Sequence, residues 1–223
     1  MKRFIISFII FFTFIHITHA QNDLGSSITI EASKKIFNNI SISLEEDFRT
    51  RDNFSTIDRL STSIDLSYKP WKFFKIGAIY NPIIRNHEKK GWELRHRYYF
   101  YLSGSYSVKN FTFTLRERYQ STYRVGIEKT SKRANPKNYI CSRIKLEYAI
   151  KKIGLEPYIS FEFFASLNNP VENSIDKLRY LIGTTYKINK KHSIDLFYRY
   201  TTETEDDEII KINMIGLGYS IKF

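Results

Sequence analysis

From about residue 26 to the last residue, apolar and polar positions alternate with a period of two. In WELRHRYYFYLSGSYSV (92–108), Leu94, Tyr98, Phe100, Leu102, Tyr106 and Val108 share one face. Glu93, Arg95, Arg97, Tyr99 and Tyr101 share the other with three serines. The same separation sets Ile40, Ile42 and Leu44 against Glu45 and Asp47, and Leu60, Ile64 and Leu66 against Arg59 and Asp65. Phe111, Phe113 and Leu115 oppose Arg116 and Arg118; Ile144, Leu146 and Tyr148 oppose Arg143, Lys145 and Glu147. Ile159 and Phe161 oppose Glu162, Leu178 and Tyr180 oppose Arg179, and Ile194, Leu196 and Tyr198 oppose Asp195 and Arg199. A helix would spread these residues over all sides, whereas a strand sorts them onto two faces.

The pattern predicts eleven strands, at about 26–36, 40–49, 56–68, 72–81, 92–108, 111–122, 138–150, 155–166, 175–188, 192–202 and 209–223. Short connectors (37–39, 69–71, 109–110, 151–154, 189–191) alternate with longer polar ones at about 50–55, 82–91, 123–137, 167–174 and 203–208. Sequential strands joined by tight turns run antiparallel. The expected object is therefore an up-and-down meander, with turns at one end and loops at the other.

A soluble sandwich would also alternate, but three features favour a closed barrel in a membrane. The strands reach the length that crosses a bilayer at a tilt, whereas sandwich strands are shorter. The polar face carries charges of both signs. Aromatics gather near strand ends: Phe37, Trp71, Phe73, Phe74, Phe111, Phe113 and Phe223 toward the turns, Trp92, Tyr98, Tyr119, Tyr180 and Tyr200 toward the loops. Such girdles mark membrane interfaces. In lipid a sheet must close, because no backbone group can stay unpaired. The fold class expected for 21–223 is an all-β, up-and-down antiparallel transmembrane β-barrel of about ten to twelve strands. An odd count conflicts with the even number usual in bacterial barrels; a hidden strand at 21–25, a miscounted segment or a threaded N-terminal stretch would each restore evenness.

Residues 1–20 change the picture of where the barrel resides. Lys2 and Arg3 precede an apolar run that closes on Thr18-His19-Ala20, the pattern of a secretory signal peptide cleaved before Gln21. No cysteine stands just after that point, so a lipid anchor is not expected. The single Cys141 excludes an internal disulfide framework. The formal charge is +12, or +10 once Lys2 and Arg3 are removed. In an exported chain that excess meets lipid surfaces rather than nucleic acid. The expected location is the bacterial outer membrane, with outer-membrane lipid and, during biogenesis, the barrel-assembly machinery as partners. The last strand, MIGLGYSIKF, supplies Tyr219, Ile221 and Phe223 as interface anchor; a terminal Phe after alternating apolar residues resembles the assembly signal of bacterial outer-membrane barrels.

Candidate chemistry concentrates on the inward face. Arg49, Arg59, Arg97, Arg118, Arg143, Arg179 and Arg199 are expected in the outer half of the lumen, with Glu45, Asp65, Glu93, Glu147, Glu162 and Asp195 as acidic partners. Such a set either fills the lumen as an ion-pair network or forms an anion-selective constriction; the presence of both signs favours the network, since buried charges persist when paired. A lipid-modifying enzyme is the competing class. Its candidates are His87, His96 and His192 beside Ser193, and none stands at a defined spacing from a serine and an acid. No catalytic residue, cofactor or metal site is assigned. ETEDDE (203–208) matches no calcium-loop spacing and reads as a solvated acidic loop. Glu117 interrupts an apolar face, as an interfacial residue or a bulge would.

The stretches LEEDFR, ELRHRYYFYLSGSY, LRERYQ, PKNYICSRIKLEY, IDKLRYLIGTTYKINKKHSIDLFYRY and IGLGYSIKF occur in an order that resembles the uncharacterised Bacteroidota outer-membrane barrel proteins grouped as domain of unknown function DUF2490. The resemblance covers almost all of 21–223. It implies a barrel in the outer membrane and no activity, since that family offers no catalytic residues to carry over.

Overall fold

The computed structural model describes residues 23–87, 91–128, 130–131, 134–168, 175–205 and 208–223. The expected signal peptide, 1–20, lies outside the described residues. The strands are β1 (Asp23–Phe37), β2 (Ile40–Arg51), β3 (Thr56–Trp71), β4 (Phe74–His87), β5 (Gly91–Val108), β6 (Phe111–Arg124), β7 (Lys137–Tyr148), β8 (Leu155–Ser166), β9 (Ile175–Lys187), β10 (His192–Glu205) and β11 (Glu208–Lys222). They form one closed barrel in which each strand pairs with its sequence neighbours.

Closure adds one parallel pairing to the expected antiparallel meander. β1 and β11 pair parallel, from Asp23↔Ile212 to Ser33↔Lys222, while the consecutive strands pair antiparallel. In a meander with an odd number of strands, the first and last run in the same direction, so they can close the ring only in this way. The odd count is real among the described residues, and β1 starts at the loop end.

Alternation gives the wall two unlike sides. The outer side keeps its apolar residues uncovered: Ile30 is 56% exposed, Phe100 61% and Ile182 59%. The inner side carries the buried polar set, including Asp47, Glu93, Arg95, Glu162 and Arg199. Strands 4.8 Å apart and tilted by about 40° give eleven of them a circumference of roughly 70 Å and a diameter of roughly 22 Å between backbones. Side chains entering from both walls occupy much of that width. Two inner glycines let rings lie flat on the wall. A Cβ at Gly77 would strike the Tyr101 ring, and one at Gly216 the Phe197 ring.

The structure departs from the sequence pattern in three places. β4 continues through Asn81 and Pro82 to His87 instead of ending near 81. Pro82 lacks the N–H that would bond to β3, and the Asn81 side-chain amide donates to the Thr62 carbonyl (3.1 Å) and to Ser63 Oγ (2.6 Å) instead. The strand thereby survives a residue that usually interrupts one. At the far end, β10 runs to Glu205 and β11 begins at Glu208, so Glu203 belongs to a strand rather than to an acidic loop; Asp206 and Asp207 lie outside the described residues. Finally, the register of β2 against β3 shifts between Arg49↔Arg59 and Thr50↔Ile57. The shift turns Ile57 outward (41% exposed) and Asp58 inward (6%), opposite to the parity that Leu60 and Ile64 set for the rest of β3.

Candidate functional site in the lumen

Strand register builds the centre of the site. Arg116 on β6 is directly opposite Arg143 on β7, Arg143 opposite Glu162 on β8, and Glu162 opposite Arg179 on β9. One row across four strands therefore reads Arg, Arg, Glu, Arg, with Arg118 two residues along β6. Glu162 is 3% exposed. One of its oxygens accepts from Arg116 and Arg118 (both 3.2 Å) and the other from Arg179 (2.9 Å). Three charge-assisted bonds leave neither oxygen of this carboxylate without a partner. The arginines are left with surplus donors: the Nε–H groups of Arg116, Arg118, Arg143 and Arg179 are buried and find no acceptor among the described residues. Aromatic faces hold the same cations. Phe164, 3% exposed, has Arg179 at 5.0 Å, Lys177 at 5.3 Å and Arg118 at 5.8 Å from its ring centre, and Arg118 also lies 4.5 Å from the Tyr99 ring. Phe164 packs with Tyr139 and Cys141 in a small apolar cluster on the inner wall.

A second row occupies the loop end of β2–β5: Arg49, Arg59, Arg85 and Glu93 are successive register partners. Carboxylates reach it from the same strands. Asp47 pairs with Arg49 (2.6 Å), Asp58 with Arg59 (2.7 Å) and Arg85 (3.3 Å), and Glu93 with Arg95 (2.8 Å) and Arg124 (3.9 Å). Arg97 donates to Thr122 Oγ1 and Tyr99 Oη. Arg199 is 8% exposed; its guanidinium lies against Met214 Sδ and 5.7 Å from the Phe197 ring centre, and has no ion pair among the described residues.

Nearer the turn end, tyrosines rather than arginines hold the acids. Tyr101 donates to Asp65 (3.0 Å), with Lys75 at 3.9 Å. Tyr158 and Thr185 each donate to Asp195 at 2.8 Å. Glu147 pairs with its own-strand neighbour Lys145 (2.8 Å) rather than with Arg143. Glu45 stands in register with Glu31 and Ser63 and makes no ion pair among the described residues.

The thirteen residues expected in the lumen thus do not form one network. Arg118, Arg179 and Glu162 meet at one carboxylate; Arg49, Arg59 and Glu93 belong to the upper row; Asp65 and Asp195 bond to tyrosines. Nor do the arginines share one depth, since Arg143 lies midway along β7 and Arg49 near the loop end of β2. Sequence reading missed Asp58, hidden by the register shift, and Glu203, assigned to a loop although it pairs with Lys177 at 2.7 Å. The apolar Ile57, out of phase with Leu60, was the available signal for the first.

The residues considered for catalysis are not brought together: His87, which ends β4, and Ser193 share the inward parity of Arg85 and Asp195, while His96 and His192 face outward. His192 and Ser193 are consecutive on a strand and so point to opposite sides of the wall; His192 Nδ1 instead meets Tyr219 Oη at 2.6 Å. His96 lies on the outer face, bonded to Tyr80 Oη (2.6 Å) and stacked between Tyr80 and Tyr123. Glu117 also faces outward, in unbroken register with Leu102 and Ser142, and accepts from Ser142 Oγ at 2.5 Å. It marks no bulge. The terminal strand directs Tyr219 and Phe223 outward (37% and 67% exposed), and the Phe223 N–H is held by the Ser33 carbonyl.

Residues 27–209 match the family described as "Protein of unknown function (DUF2490)". Among solved structures, one described as "NanC porin structure in rhombohedral crystal form" is similar, with a TM-score of 0.56 and 13% identity over 90% of this chain and 99% of that one. At that identity the likeness concerns the fold. No curated protein matches.

Proposed function

The chain belongs to the DUF2490 family, whose description assigns no activity, and from the chain's own lumen we propose that it is an outer-membrane β-barrel forming a narrow, largely occluded passage for small solutes. The uncovered apolar outer face supports the membrane location. Strands of 12–18 residues, at 3.3 Å per residue and a tilt of about 40°, span roughly 30 Å or more, the thickness of a bilayer core. The observation that carries the reading is Glu162, which gathers arginines from β6 and β9 onto one buried carboxylate. This knot draws side chains inward where a barrel of eleven strands would otherwise leave water.

Planar-bilayer recording of the purified barrel, recovered from the outer-membrane fraction, tests this. Wild type should give small or flickering conductance. Glu162→Ala removes the shared partner of three arginines, and breaking a buried pair costs about 3–5 kcal/mol, less where water enters. The variant should unfold more readily and conduct more. A steady, porin-sized wild-type current unchanged by Glu162→Ala would overturn the occluded passage.

A further inference from the structure

We propose that the row Arg116, Arg143, Glu162, Arg179, with Arg118, is a binding site for a multivalent oxyanion carried by a small solute, carboxylate or phosphate, and that Glu162 is its built-in competitor. The proposal deepens the passage reading by giving the solute a charge class. Four guanidinium groups surround one carboxylate, a local excess of three positive charges (four minus one). Arg116 and Arg143 face each other directly across neighbouring strands. Like charges in that position destabilise a sheet unless something compensates them. Glu162 bonds to three of the four arginines, and the fourth, Arg143, beside it in register, has no hydrogen bond or ion pair among the described residues.

Donor geometry points the same way. Buried donors without acceptors are rare in folded proteins, and here four Nε–H groups of that kind lie in one cluster. The guanidinium fork matches the paired oxygens of carboxylate and phosphate. Phe164 and Tyr99 back the cations and limit their movement. The loop-side cluster sets Arg49, Arg59, Arg85, Arg95 and Arg124 against Asp47, Asp58 and Glu93, five positive charges to three negative, so an anion entering there still meets a positive excess before it reaches Glu162. A dianion that bonds to Arg143 and displaces Glu162 from Arg116 or Arg118 would loosen the knot that occludes the lumen.

Thermal unfolding of the detergent-solubilised barrel, titrated with inorganic phosphate and separately with citrate, reads binding without requiring conduction. Potassium chloride at matched ionic strength is the reference. Both oxyanions should raise the wild-type unfolding temperature saturably. Glu162→Gln, which keeps the shape and removes the competing charge, should lower the half-saturating concentration roughly tenfold, the size of one charge-assisted bond. Arg143→Ala and, should that variant fold poorly, Arg116→Gln should raise it by a similar factor. A wild-type response no larger than that to chloride overturns the site, as does equal binding by wild type, Glu162→Gln and the arginine variants. A barrel that binds phosphate but never conducts refutes the passage and leaves the site standing; one that conducts but ignores oxyanions does the reverse.

Discussion

At the scale of single residues, the inner wall is shaped as much by what is missing as by what is charged. Gly77 has no side chain because the Tyr101 ring lies where one would be, and Tyr101 needs that place to reach Asp65. Gly104, on the outer face, has open space around its missing Cβ. The two glycines therefore predict opposite behaviour from one substitution. Gly77→Ala should push Tyr101 off the wall, strain the Asp65 contact and cost about 1–3 kcal/mol, as overpacking does. Gly104→Ala should be neutral or slightly stabilising, since a glycine inside a strand loses more chain entropy on folding than alanine. Urea titration of the barrel refolded into lipid vesicles, followed by tryptophan fluorescence, separates them; equal stabilities would mean that Tyr101 has room to move. Neither role was legible in the sequence, where both glycines appear only as gaps in an alternating pattern. Ring-over-glycine contacts join different strands, and a period of two within one strand carries no sign of them.

At the scale of elements, the terminal strand ties sequence to architecture most directly. Just past β11, the Phe223 N–H donates to the Ser33 carbonyl on β1, and Tyr219, Ile221 and Phe223 turn to the outer face. An aromatic ring there suits the membrane interface, where a carboxylate does not. Phe223→Asp should reduce the amount of folded barrel reaching the outer membrane well below that of Lys222→Ala, as quantified by blotting of membrane fractions. Equal levels would remove Phe223 as an assembly determinant. The sequence made the strands legible because apolar residues outside and charge inside reinforce the same alternation on every one of them. It misplaced boundaries where a local device overrides composition. Asn81 substitutes its side chain for the donor Pro82 lacks, and Glu203 extends β10 because Lys177 on β9 receives it. The site was legible as a set of inward charges but not as rows. Which arginine meets which acid depends on register between strands, and on a one-residue shift that brings Asp58 inside.

At the scale of the whole molecule, the parallel seam is a consequence of the odd strand number rather than of any one strand. With eleven strands in a meander, the ring can close only if β1 and β11 run parallel, and their register sets Ile28 beside Leu217, both outward and about half exposed. A ring with a twelfth strand would insert another chain segment between them and separate these residues. Neighbouring strands lie about 4.8 Å apart, within the Cα spacing that a disulfide spans. In a Cys141→Ser background, which removes the native thiol, the pair Ile28→Cys and Leu217→Cys should cross-link under mild oxidation in the folded barrel. The cross-linked chain should then migrate faster than its reduced form in denaturing gels after boiling, because residues 28 and 217 enclose nearly the whole chain in one loop. Moving one partner along the strand, to Ile28→Cys with Ile221→Cys, should abolish the bond, since Ile221 is opposite Ala32 in this register. Cross-linking of the second pair but not the first would mean that the seam closes in another register, and failure of both would mean that β1 and β11 are not neighbours. Success of the first pair alone would establish the parallel seam, and with it the continuous wall on which the two arginine rows depend for their alignment.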